Sequence, residues 1–122
     1  MSGIEVGAHY LCAGALGFDP VRIWVGRIDQ IEGAGEIASV TLKGDGAGLR
    51  SVPHMAFGMA ALIASAPEPV DGFPKNATAF DEAYADWRQT VAAGTAEYMT
   101  ISPSEAYGRA MDKISEGARH DF

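Results

Sequence analysis

One cysteine, Cys12, is all this 122-residue chain carries, so no internal disulfide can staple it, and the fold must rest on an ordinary core. The length suffices for one such core and points to a single domain over residues 1–122. Basic residues are also few. Nine Lys and Arg stand against 16 Asp and Glu, a formal charge of -7, and the nine are scattered from Arg22 to Arg119 with no basic patch. That balance opposes long-range attraction to nucleic acid or to an anionic membrane, so neither is expected as a partner. Long apolar runs are missing too. Val6 to Phe18 is interrupted by His9 and glycines, and Glu5 stands where a signal peptide would be basic. The chain reads as a soluble, cytoplasmic protein. It has no phosphate loop, no complete dinucleotide fingerprint and no metal-ligand spacing, so neither cofactor nor metal is called for.

The richest stretch is VRIWVGRIDQIE, residues 21–32. Val21, Ile23 and Val25 share one face of an extended chain, whereas Ile28 falls in the other register. One face can hold all four only if the strand bulges or bends, and Gly26 sits where the phase changes. Glu5 to Ala13, with Val6, Ala8, Tyr10 and Cys12 on one face, can pair with this strand. After the loop EGAGE, residues 32–36, Ile37 to Lys43 returns as a half-buried strand with Ala38, Val40 and Leu42 inward. GDGAG, residues 44–48, is a turn rather than a phosphate cradle, because a strand follows it instead of a helix. That fourth strand begins at Leu49, and Pro53 closes it. AFGMAALIAS, residues 56–65, then predicts a short helix.

Residues 66–76, APEPVDGFPKN, separate this β-rich half from an α-rich one and leave little room for regular structure. Asn76 or Thr78 caps a helix that presents Phe80, Tyr84, Trp87 and Val91 at helical spacing, a stripe expected to dock on the sheet, and Gly94 ends it. Glu97 to Ile101 suits a brief edge strand. Ser102, Pro103 and Glu105 form a capping box for a last helix with Ala106, Tyr107, Ala110, Met111 and Ile114 on one side, ending at Gly117 before a frayed tail. Strands first and helices after indicate an α+β domain: a strongly bent antiparallel sheet or small barrel over residues 5–55, a short helix, and two C-terminal helices packed on it. The strand-rich first half resembles the small SH3-like barrels in architecture alone, without a family motif, so no function comes with the resemblance.

Four residues draw attention as a binding surface. Arg27 and Asp29, two apart just past Gly26, share a strand face and can meet a ligand's anion and cation, although a solvated ion pair is the commoner meaning of such a pattern. Trp24 stands in the opposite register from Val21, Ile23 and Val25, either core or an outward contact. His54 follows Pro53 at a strand end, a place for a functional side chain or a structural hydrogen-bonder. His9 and Cys12, with His54, invite a metal reading, but residues three apart on a strand point to opposite faces.

The expected function is a small binding or regulatory module acting through protein or small-ligand contacts near Trp24, Arg27, Asp29 and His54. One alternative is a small enzyme or accessory subunit in which Asp29 and His54 meet as an acid–base pair in a cleft. A weaker one, resting on the charge of -7, is an acidic inhibitor of a basic protein. An outward Trp24 and an exposed edge at 97–101 would both want cover, which makes a homodimer an expectation as well.

Overall fold

The computed structural model describes residues 3–15, 17–44, 50–73 and 75–119. β1 (His9–Cys12), β2 (Val21–Ile31), β3 (Gly35–Gly44) and β4 (Ser51–Gly58) are followed by α1 (Met59–Ala64), a two-residue β5 (Glu68–Pro69), α2 (Ala77–Ala92) and α3 (Pro103–Arg119). The strands form one sheet in the order β4-β3-β2-β1-β5, and all its pairs are antiparallel. The architecture is α+β.

Of the two alternatives read from the sequence, an open antiparallel sheet is the one found, and it does not close into a barrel. Closure would require β5 to meet β4. Instead β4 runs directly into α1, and its outer edge pairs in parallel with Met99 through Met99 N–H to Ala56 O at 2.8 Å and Gly58 N–H to Met99 O at 3.0 Å. Residues 97–101 are thus the expected edge segment, reduced to a single bridge. At the opposite edge β5 pairs Pro69 with Tyr10. The proline-rich connection therefore does contain a strand, on an edge where the missing N–H of Pro69 is tolerated.

The phase change in β2 is a bulge. Val25 pairs with Val40 and Arg27 with Ser39, which leaves Gly26 as the extra residue. Val21, Ile23, Val25 and, beyond the bulge, Ile28 therefore all face one side of the sheet. There they meet Tyr10, Cys12, Val40, Leu42 and Phe57, with Met59 and Leu62 of α1 and Ala106 and Tyr107 of α3 closing the core. The β2–β3 hairpin turns through Gly33 and Gly35, both at positive φ, where a Cβ would be strained.

Three expectations need correction. β3 is not half-buried, since Ser39 and Thr41 are as inaccessible as Val40 because α2 covers the second face. Pro53 does not end β4. It sits in a second irregularity, where Val40 pairs with Met55 but Leu42 with Val52, and its carbonyl accepts a hydrogen bond from Thr41 Oγ1 at 2.8 Å. The strand consequently takes residues 56–58 from the expected helix, and α1 begins only at Met59. Finally, α3 runs through Gly117 to Arg119, because an i→i−4 ladder tolerates a glycine at a modest penalty. Residues 45–49, which hold most of the expected GDGAG turn and Leu49, lie outside the described residues, as do the side chain of Ile114 and the last three residues of the tail.

Both helix starts obey their local signals. Asn76 Oδ1 accepts from Ala79 N–H at 2.9 Å, and Ser102 Oγ accepts from Glu105 N–H at 3.2 Å. Glu105 also pairs with Arg109 at 2.8 Å, one turn on. No helix among the described residues is long and apolar enough to cross a membrane.

Candidate functional site

The bulge at Gly26 brings the site together. Trp24 pairs with Thr41, Arg27 with Ser39 and Asp29 with Ile37, and those β3 partners alternate along a single face. Without the bulge, with Gly26 an ordinary paired residue, Arg27 and Asp29 would fall on the core side with Val25. With it, Trp24, Arg27 and Asp29 share the face opposite the core, and His54 joins them from β4 through a 3.0 Å hydrogen bond between its Nε2 and Ser39 Oγ. The four residues singled out in the sequence lie in one neighbourhood.

That face is not open, because α2 lies across it. Phe80 is the one buried residue of the helix, 1% exposed, and its ring occupies the space a Cβ on Gly26 would fill. Trp24 meets Phe80 edge-on with ring centroids 5.1 Å apart. The imidazole of His54 lies among three α2 rings, 5.7 Å from Phe80, 6.1 Å from Tyr84 and 5.9 Å from Trp87. Trp24 is therefore neither core nor free surface. It is half-buried at the margin of a second, aromatic layer, with the Lys75 ammonium 4.9 Å from its ring centre.

Tyr84 organises the polar side of the site. Its hydroxyl donates to Asp29 Oδ2 at 2.9 Å, and the Arg27 guanidinium lies 5.6 Å from its ring centre. Asp29 also faces Arg88, 3.8 Å away. Burial and then the hydrogen bond to Asp29 push the Tyr84 hydroxyl above its ordinary pKa, so it stays protonated and donating. Trp87 Nε1 donates to the Glu97 carbonyl at 2.8 Å, which ties α2 to the edge segment. Tyr84 thus stands between Asp29 and His54, bonded to the first and ring against ring with the second, while His54 has Ser39 as its own hydrogen-bond partner.

His54 is held neutral. Desolvation lowers its pKa, since an imidazolium among aromatic rings would lose hydration. His9, paired directly with Trp24 and on the same face, packs edge-on against Phe73 at 5.1 Å. Burial and then the nearby Lys75 charge lower its pKa too, and its Nε2 is buried without a hydrogen-bond partner among the described residues. Cys12 points the other way, fully buried in the core, where desolvation raises its thiol pKa. His9, His54 and Cys12 therefore do not share a face. No set of three or more His, Cys, Asp or Glu among the described residues is placed to hold a metal ion.

Ser39, Tyr84 and Arg88 belong to this neighbourhood but were not among the residues singled out from the sequence. The aromatic spacing of α2 did announce Tyr84 as a docking residue, whereas nothing local linked it to Asp29, 55 positions away. Chemically the arrangement offers partly exposed aromatic surface flanked by two exposed guanidiniums, Arg27 and Arg88, with one carboxylate between them. No protein-family model, no curated protein and no solved structure matches this chain.

Proposed function

We propose that this chain is a small binding or regulatory module whose contact surface is the seam between α2 and the sheet, with Trp24, Arg27, Asp29 and His54 contributed by the strands and Tyr84, Trp87 and Arg88 by the helix. The observation that supports it is the Gly26 bulge, which places Trp24, Arg27 and Asp29 on one face with His54. Arg27 is exposed and the Arg88 side chain is 45% exposed, so both can meet a carboxylate or another acidic group on a partner. Half-buried aromatic rings next to them supply apolar contact at little conformational expense.

The test begins with a pull-down from native lysate, followed by titration of the purified partner against wild type, Arg27→Ala, Arg88→Ala and Trp24→Ala. A contact surface here predicts that Arg27→Ala and Arg88→Ala each weaken binding about tenfold, a loss of about 1.4 kcal/mol, with little change in melting temperature. Wild-type affinity in all three variants would rule the surface out. A large fall in melting temperature for Trp24→Ala would assign that ring to stability instead.

A further inference from the structure

We propose that the extended segment at residues 97–101 is a homodimerisation edge, on which a second copy of this chain adds the same segment antiparallel about a two-fold axis at Met99. The segment is already anchored at its centre, ahead of the bend at Ile101. Met99 spends both its N–H and its carbonyl on β4, and the Glu97 carbonyl receives the Trp87 indole. Backbone groups alternate sides along an extended chain, so those of Tyr98 and Thr100 point away from β4. Neither residue makes a backbone hydrogen bond among the described residues. Four polar groups are thus aligned on an outer edge that a further strand would satisfy.

Register follows from that alternation. Pairing centred on Met99 sets Tyr98 of each copy opposite Thr100 of the other, which are the hydrogen-bonded pairs, and Met99 opposite Met99 as the close, non-bonded pair. Two exchanges of N–H and C=O result, and the contact is self-complementary, as a two-fold requires. The flanks suit it. Tyr98 and Met99 are among the exposed large apolar residues of the chain, at 37% and 36%. Met99 and Ile101 border a groove of about 600 Å³ with Met55, Ala106, Arg109 and Lys113, and on the other side of the segment Tyr98 and Thr100 border one of about 390 Å³ with Met59 and Ala61.

One charge match accompanies the self-pairing. The antiparallel register sets Glu97 of one chain beside Ile101 of the other, at the mouth of the groove that carries Arg109 and Lys113. Arg109 is engaged by Glu105 and Asp112 also lines the groove, so Lys113 is the cation there that an incoming carboxylate can meet. The pairing repeats twice across the axis and offsets part of the repulsion between two chains of charge -7.

Sedimentation velocity of the full chain across a concentration series reads this directly, with the mass rising from 12.8 kDa to twice that value. Thr100→Pro removes an outward N–H and leaves both Met99 bonds to β4, so it should raise the dimer dissociation constant by at least about tenfold. Glu97→Lys should weaken the dimer, and adding Lys113→Glu should restore it. Met99→Cys should form a disulfide-linked dimer faster than Val6→Cys, a control at a position 57% exposed. A chain that remains at 12.8 kDa throughout, with Met99→Cys no faster to cross-link than the control, overturns the proposal. So does a dimer that Thr100→Pro leaves intact, or an edge that captures a different protein while the chain itself stays monomeric.

Discussion

The ring of Phe80 fills the volume that any side chain at Gly26 would need, so the extra residue of the β2 bulge and the buried anchor of α2 are a matched pair. A bulge that merely rephased the strand could use another small residue. Here position 26 must also admit a ring from 54 residues further along the chain.

Gly26→Ala should therefore destabilise by about 1–3 kcal/mol through overpacking, and Phe80→Ala by about 3–5 kcal/mol through the void it leaves. The double variant is the informative one. With the ring gone, an alanine at 26 meets open space, so in urea denaturation it should add little to the loss from Phe80→Ala alone. Strict additivity would show that the two positions do not share that space.

Tyr84→Phe removes the hydroxyl that donates to Asp29 and keeps the ring against His54 and Arg27. Asp29 is 23% exposed and can recover water, so the loss should stay near about 1 kcal/mol. Combined with Asp29→Asn in a double-mutant cycle, it should reveal a positive coupling. A coupling of zero would mean that the hydrogen bond contributes nothing to holding α2.

Stability should also fall as the solution is acidified through the histidine range. His54 and His9 both have pKa values lowered by burial, so the unfolded chain binds protons more readily than the folded one. Their contribution is fully present above the unfolded value of about 6.5 and is lost as pH falls from there through the folded values. Melting curves between neutral pH and pH 5 should show this decline, and His54→Gln should flatten it while leaving the part due to His9. A His54 proton resonance that titrates above the ordinary imidazole range would contradict the lowered value.

Much of this fold was legible locally. The phase change between Val25 and Ile28 required a bulge or a bend and Gly26 marked the place, the apolar alternation of residues 37–43 indicated its hairpin partner, and Asn76 and Ser102 each accept a cap hydrogen bond at the start of a helix read from the sequence. The failures share a cause. Pro53 was read as a stop because it cannot join a regular ladder, yet a bulge needs no donor at that point, and the extra residue that makes room for the proline lies on β4 itself, a register visible only once β3 is paired with it. β5 is two residues long and exists only because β1 has a free edge.

The candidate site divides in the same way. Trp24, Arg27, Asp29 and His54 could be singled out from residue type and position, and strand periodicity together with Gly26 implied that a rephased strand would change which faces they take. Periodicity and capping act over a few residues, so the sequence by itself determined that β2 must bulge or bend near Gly26, where two helices start, and the aromatic stripe of α2. Which face that stripe would cover, and that Tyr84 would stand between Asp29 and His54, was decided only by the tertiary structure. Contacts across 55 and 30 positions depend on the shape of the whole sheet, and no local pattern encodes it.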